Sequence, residues 1–515
     1  LTAHSAGQPA PSASPPNVLV VAVDSLRADR LNRQTAPRLA ALAQRGVEFE
    51  RAFTSLARTF PSWASIATGR YPHHHGIRNM FPRWETRARD LAPVPRFFEH
   101  AGYRTSVVSD FAGDIFRRVD LGYSHVLAPT FDMDELIRAR QIEAQKLLLP
   151  FFRGRLARTL VPTLRELHTA SDAQALTRDA LAEVDRAKDR PFFLTVFYST
   201  AHFPYAAPAP FYRRFTEPGY RGRFRYSKAE LLGTDPRPTP ADIRQIRGLY
   251  DGAVLAADQA IGELIDGIIA RGRSENTIIV ATSDHGECLF EPGRGQGHGD
   301  HLFGDQATAI PLVIYDPRHA RPHKQPDVVR SIDIAPTLCE LAKVTCPAAM
   351  DGRSLVPLLE GKSLPPLPAF AETGLWFTET IPDVPPNLRM PYPDLTYITE
   401  VLSEHHNEIV LRKIFEPITT TAKHRMMREA RYKLLYLPTR DRVVWRLYDT
   451  IFDPNETRDL SSEQPAVLAR LQDQFWRWML EDPDMERRNE YLMPRAGQLS
   501  QALTASKGVR VEDAH

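Results

Sequence analysis

Groups able to hold a metal ion stand where apolar runs stop. Asn17–Val23 (NVLVVAV) ends at Asp24, and Thr277–Thr282 (TIIVAT) delivers Ser283, Asp284 and His285. Short continuous β-branched runs read as buried parallel strands. In open α/β sheets, sites form beyond the carboxyl ends of such strands. Carboxylate plus imidazole suits Zn2+ or Mn2+ better than Ca2+, because imidazole is a borderline ligand. Any one of these residues would also serve as a strand-end cap. Two strand ends carrying them together favour a shared cation. His298 and His301 follow in the Gly-rich segment GQGHGDHLFGD, and His202 follows the apolar run Phe192–Tyr198. These three are candidate ligands for substrate or a second metal. The run His73, His74, His75 reads as structural or surface, because three consecutive side chains point in different directions.

The elements that must position these groups alternate along the chain. Helical patterns cover 36–46, 62–68, 93–102 and 248–272, and strands are expected at 103–109, 192–198, 277–282 and 310–315. Alternation of this kind predicts an α/β fold with a large, mostly parallel central sheet flanked by helices. After about residue 376, Pro-rich loops give way to strand-like pieces at 432–437 and 445–448 and a helix near 465–480. This predicts a small C-terminal antiparallel sheet plus helix. The expected organisation is a linker or stalk at 1–16, a catalytic domain at 17–375 with a helical insertion at 131–180, a C-terminal subdomain at 376–485 and a tail at 486–515.

Composition excludes several classes. The 515 residues carry 65 Lys+Arg against 63 Asp+Glu, so no global basic field argues for nucleic acid. Three cysteines exclude a disulfide scaffold or a cysteine-built cluster. Cys339 and Cys346 either close a short loop as a disulfide or stay as two buried thiols, and Cys288 reads as a small packing residue. No window approaches the ~20 apolar residues of a membrane span. Residues 1–16 lack the pattern of a signal peptide and read as a trimmed terminus or a stalk once joined to an anchor. Residues 136–168 mix Leu, Phe and Val with seven Lys or Arg. They are expected to form amphipathic helices that either pack on the core or lie on an anionic lipid surface.

An ordered set of motifs carries a resemblance. NVLVVAVDSLRADRL, TAPRLAALAQRGVEFERAF, TFPSWASIATGRYPHHHGI, PFFLTVFYSTAHFPY, SDHGE, SIDIAPTL, MDGRSLVPLL and LYDTIFDPNETRDL follow one another as in the sulfatase-like branch of the alkaline phosphatase superfamily. The likeness runs from about residue 17 to 480. Five departures mark it. Thr59 stands where the sulfatase Cys or Ser is oxidised to formylglycine, and Thr cannot yield that aldehyde. Trp63 replaces the Arg four residues on, and Ser25 the second Asp of an Asp-Asp pair. Asp284-His285 replaces Asp-Asn, and a Lys-x-His stretch is absent from VVSDFAGDIF.

These changes resemble the Thr-nucleophile members: phosphodiesterases, phosphoethanolamine transferases and glycerophosphate transferases. The resemblance implies Asp24, Thr59, Asp284 and His285 around one tight metal, with a second possible through His202 and His298. It implies attack by Thr59 on phosphorus, with Asn79, His202 and His298 on phosphate oxygens or the leaving group and His301 as a substitute for His298. The expected activity is a metal-dependent phosphoester hydrolase or phosphotransferase acting on a phosphodiester-type substrate, lipid- or glycan-linked among the candidates, outside the cytoplasm. The alternatives are a sulfatase, or a catalytically inactive binding or regulatory member.

Overall fold

The computed structural model describes residues 14–129, 171–227, 237–319, 321–377, 385–405 and 407–495. Most of the expected 131–180 insertion, its Arg-rich stretch 136–168 and the end of the tail lie outside the described residues.

The strands in chain order are β1 (Asn17–Val23), β2 (Val47–Phe53), β3 (Arg104–Ser109), β4 (His125–Leu127), β5 (Phe192–Tyr198), β6 (Thr277–Thr282), β7 (Cys288–Glu291), β8 (Gly295–Gly297), β9 (Ala309–Tyr315), β10 (His323–Arg330), β11 (Ala369–Glu372), β12 (Thr399–Leu402), β13 (Glu408–Leu411), β14 (Arg425–Arg428), β15 (Tyr432–Pro438), β16 (Val443–Asp449), β17 (Met485–Arg488) and β18 (Tyr491–Pro494). The helices used below are α1 (Pro37–Ala43), α2 (Thr59–Thr68), α3 (Pro72–His75), α4 (Ala173–Ala187), α5 (Pro240–Ala270), α6 (Ile334–Ala342) and α7 (Pro465–Met479).

Eight strands form the central sheet in the order β10-β2-β9-β6-β1-β5-β3-β4. All neighbours pair in parallel except β9, which runs against both β2 and β6. β1 lies at the centre and is buried along its whole length. Its side chains alternate between two cores. Val18, Val20 and Ala22 face α2 and α6, packing in the cluster with Phe60, Trp63 and Leu338. Leu19, Val21 and Val23 face α1, α4 and α5, with Leu39, Leu176 and Ile246. A strand covered on both faces needs apolar residues at every position, which is why NVLVVAV shows no alternation.

The C-terminal part forms a four-stranded antiparallel sheet, β11-β14-β15-β16. Its first strand begins at Ala369, so the subdomain starts before the expected 376. α7 covers one face through Phe475, Trp476 and Trp478. The other face packs Ala371, Met426 and Leu435 against Phe53 and Val328 of the central sheet. The expected tail also needs correcting. β17 and β18 form a hairpin through Pro494, and Leu492 is buried in the subdomain core, where its apolar side chain outweighs the polar character of its neighbours. Cys339 and Cys346 form a disulfide, and Cys288 is a buried free thiol.

Candidate active site

The sheet register brings two strand ends together. Ala22 pairs with Thr282, so Asp24 and Asp284 leave the sheet side by side. Ser25, at φ 60, turns the chain so that its N–H donates to Asp284 Oδ1 at 3.3 Å and its Oγ donates to Asp24 Oδ1 at 3.2 Å. α2 begins at Thr59, three residues earlier than the sequence pattern suggests. Pro61 sits in its first turn, where a missing N–H costs little. Ser62 Oγ donates to the Asp284 carbonyl at 2.6 Å, pinning the helix start to the end of β6.

Thr59 Oγ1 therefore lies 3.4 Å from His285 Nε2. The same nitrogen is 3.3 Å from Asp284 Oδ2 and 3.6 Å from Asp24 Oδ1. His285 Nδ1 is 2.9 Å from the Gly286 carbonyl, which can only accept, so Nδ1 carries the proton and Nε2 presents its lone pair. Asp24 Oδ2 and Asp284 Oδ2 are buried and have no hydrogen-bond partner among the described residues. Burial, together with the neighbouring Asp284 charge, raises the Asp24 carboxyl well above the usual range. Burial pushes Asp284 up to about 7 and holds His285 down at about 3.

Two buried carboxylates with orphaned oxygens and a neutral imidazole form a donor set suited to a divalent cation. Tetrahedral ligands about 2.0–2.2 Å from Zn2+ stand roughly 3.3–3.6 Å from one another, and the other three groups stand at 3.3–3.6 Å from His285 Nε2. Asp24, Asp284, His285 and Thr59 thus fit a divalent metal.

Two more histidines stand beside this set. His298 stacks on His285 with ring centroids 4.0 Å apart, and His202 meets His298 edge-on at 5.6 Å. His202 donates Nδ1–H to the Phe203 carbonyl at 2.8 Å. His298 Nδ1 lies 3.3 Å from Glu287, a buried carboxylate to which the sequence reading gave no role. Each of the three imidazoles thus has its Nδ1 side fixed by an acceptor. Burial lowers His202 to about 4 and His298 well below its ordinary value.

Arg58 is a second residue the sequence did not reveal. It pairs with Asp300, and its guanidinium lies 3.9 Å from the Phe377 ring centroid. A Cβ on Gly299 would meet Arg58 Nε at 2.4 Å, so that glycine makes room for the side chain.

Other expectations fall away from the cluster. His301 donates to the Arg294 carbonyl at 2.8 Å and accepts from Phe303 N at 3.2 Å, so both ring nitrogens are occupied within its own loop. Asn79 Oδ1 accepts from Phe81 N at 2.7 Å, a local turn bond. Trp63 is 1% exposed and packs edge-on against Phe116 and Phe197, so the position is part of the core.

The family model described as Sulfatase matches residues 16–344, well over half of the chain. The chain belongs to the Sulfatase family. Among curated relatives, N-sulphoglucosamine sulphohydrolase of Homo sapiens is 26% identical over 490 residues, covering 87% of this chain and 86% of that protein. The multifunctional alkaline phosphatase superfamily protein PehA of Trinickia caryophylli is 27% identical over 416 residues, covering 67% of this chain and 77% of its own length. The match to the uncharacterized sulfatase YdeN of Escherichia coli, 26% identical over 64% of this chain, spans only 58% of that protein. The phosphonate monoester hydrolase SpPMH from Silicibacter pomeroyi has the same fold, with a TM-score of 0.66 at 23% identity over 93% of this chain and 99% of that one. This Sulfatase-family fold is what the sequence motifs implied.

Proposed function

We propose that this Sulfatase-family chain is a metal-dependent phosphoester hydrolase or phosphotransferase in which Thr59 is the nucleophile. The observation that carries the reading is the position of Thr59 Oγ1, 3.4 Å from His285 Nε2 in the cation-binding set. A threonine at that point cannot become the formylglycine on which sulfatases depend, because its secondary alcohol would oxidise to a ketone, but its hydroxyl can attack phosphorus directly. PehA and the phosphonate monoester hydrolases, named for phosphorus chemistry, lend the reading support.

Asp24, Asp284, His285 and Thr59 would hold a divalent cation of the Zn2+ or Mn2+ class, which would supply Lewis acidity to lower the Thr59 hydroxyl pKa and offset phosphoryl charge. The start of α2 adds its positive end to the same place, favouring negative charge on Thr59 Oγ1. His202 and His298 present Nε2 to the phosphoryl oxygens or the departing alkoxide. Glu287 fixes the tautomer of His298 and supports a proton on it as the leaving group departs. With a diester, Thr59 gives its hydroxyl proton to Nε2 of His298, the Thr59 oxygen–phosphorus bond forms as the bond to one alkoxide breaks, and His298 passes that proton to the departing alkoxide. The adduct keeps the other ester arm until water or an acceptor hydroxyl resolves it.

Asn79 sits by sequence near this rim, and a role on substrate would require its local turn to open. The 17–375 and 376–485 divisions are proposed as catalytic and supporting parts, with the boundaries adjusted to the strands described above. An oxidising, extracytoplasmic setting is supported by the Cys339–Cys346 disulfide. No helix among the described residues is long and apolar enough to cross a membrane.

The test is acid quench of the enzyme with an aryl phosphodiester, followed by peptide mass spectrometry. A phosphoryl adduct on Thr59 is expected. Turnover of aryl sulfate with no adduct and no phosphodiester activity would favour the sulfatase reading, and no turnover of either would favour an inactive member.

A further inference from the structure

The histidine run on α3 divides in space. His75 turns inward, with Nε2 3.0 Å from Ser65 Oγ and Nδ1 accepting from Ile77 N at 3.1 Å. His73 and His74 turn toward the end of α7 instead. Their rings meet edge-on at 4.2 Å, and ligand atoms of His73, His74 and Glu481 all lie within 4.8 Å of one another.

His73 is 8% exposed, and its Nε2 is buried without a hydrogen-bond partner among the described residues. Tyr71 stacks on its ring at 5.6 Å and Trp478 meets it edge-on at 5.2 Å, so the ring is held in place. An immobilised imidazole with an orphaned nitrogen is costly unless something binds it. His74 Nδ1 lies 2.8 Å from Asp351, and a carboxylate can only accept, so Nδ1–H donates. Its Nε2 lies 3.4 Å from the Glu481 carbonyl, which can only accept, so without a cation Nε2 carries a proton as well. A histidine whose Nδ1–H is held by a carboxylate has the outer partner common among metal ligands, and a cation binding here would replace the Nε2 proton.

We propose that His73, His74 and Glu481 bind a second divalent cation, of the Zn2+ class, which clips α3 of the catalytic core to the turn after α7. Two imidazoles and one carboxylate are a zinc donor set, with water as the fourth ligand. These ligand atoms lie within 4.8 Å of one another, against roughly 3.3–3.6 Å in a closed tetrahedron. Glu481 is exposed and His74 half-buried, so side-chain rotation at the surface closes the gap. The site is separate from the active-site set in both residues and role. It shares no ligand with Asp24, Asp284 and His285. Its consequence is mechanical: a cation there stabilises the docking of the C-terminal subdomain, because it binds the folded chain and not the unfolded one.

The test uses the full chain with the active-site set disabled by Asp284→Asn. After stripping and dialysis against Co2+, this variant is expected to retain one Co2+ with the strong visible absorption of a four-coordinate site. Adding Glu481→Gln or His74→Gln should remove that absorption and the accompanying rise in Tm. If Asp284→Asn does not fold, the comparison is made between the unaltered chain and Glu481→Gln, which changes an exposed side chain without changing its shape. One fewer Zn2+ per chain in Glu481→Gln is expected, with turnover kept. Equal metal content and equal Zn2+-dependent Tm in both would overturn the proposal, as would an Asp284→Asn chain that takes up no cation.

Discussion

The carboxylate of Glu287 stands 3.3 Å from Nδ1 of His298, on the far side of that ring from Nε2. This carboxylate–imidazole pair lies next to the cation-binding set, since His298 stacks on His285. Glu287→Gln keeps an acceptor but removes the charge that supports a proton on His298. The expected result is a fall in kcat of about 10–100-fold with KM little changed. The pH–rate profile should shift as well, because the imidazole loses its anionic partner. A kcat within twofold of the unaltered enzyme and an unmoved profile would remove His298 from proton transfer.

Thr59→Ala should abolish turnover while leaving the fold intact, since a small side chain is lost at the start of α2. Activity within about tenfold of the unaltered enzyme would defeat the nucleophile assignment, because loss of a covalent nucleophile costs several orders of magnitude. Thr59→Ser keeps the hydroxyl and should retain measurable turnover and the trapped adduct.

Metal removal is expected to act on stability as well as on rate. Without a cation, Asp24 and Asp284 leave two buried oxygens with nothing to bind. Chelation should therefore lower Tm and abolish activity, with both restored by Zn2+ or Mn2+. Restoration at 100 times Kd corresponds to about 2.7 kcal/mol of stabilisation. Calorimetry with and without metal measures it, and Ca2+ serves as the discriminating control.

A buried ion network joins the two parts of the chain. Glu372 on β11 accepts from Arg78 at 2.9 Å, and Lys423 and Arg425 stand 3.4 and 3.8 Å away. Against the cost of burial, these cations hold its carboxyl well below the usual range. A depressed folded-state pKa gives stability that is present above the unfolded value and lost as pH falls through the window below about 4.5. Glu372→Gln should cost about 3–5 kcal/mol at neutral pH, since it leaves buried cations uncompensated. It should also flatten the acid limb of stability against pH, as measured by denaturant midpoints at pH 7 and pH 4.

Part of this site was legible in the sequence and part was not. Asp24 and Asp284-His285 could be read because buried parallel strands are continuous apolar runs, and each run stops just before these polar groups. Thr59 became visible only through the family motif, because nothing in TFPSWASIAT marks a nucleophile, and Pro61 led the helix start to be placed too late. β10 was missed because Pro326 interrupts HKQPDVVR. The strand tolerates it at the sheet edge, with a register shift between Gln325 and Val328. Glu287–His298 and Arg58–Asp300 depend on how the loop after β6 folds back, and no periodicity encodes that.

Gly299 offers the sharpest check on how Arg58 is placed. It holds φ +79, and an added Cβ would lie 2.4 Å from Arg58 Nε and 2.6 Å from the Ala57 carbonyl. Gly299→Ala therefore pays about 1–2 kcal/mol for the left-handed backbone and must also displace the guanidinium or the chain. Arg58 directly precedes Thr59, and its carbonyl accepts from Ser62 N at 3.0 Å in the first turn of α2. A shift at Ala57 and Arg58 is thus passed to Thr59, and for the proposed nucleophile a misplacement of about 1 Å can cost 100-fold in rate. The expected outcome is a loss of kcat of at least tenfold with a modest drop in Tm. Arg58→Ala separates the two causes. If Gly299→Ala acts only through the guanidinium, combining it with Arg58→Ala should add nothing to the loss. If it moves the helix start, the combined variant should be slower than Arg58→Ala alone. A Gly299→Ala enzyme with unaltered kcat would show that neither the arginine nor the helix start depends on the space this glycine leaves.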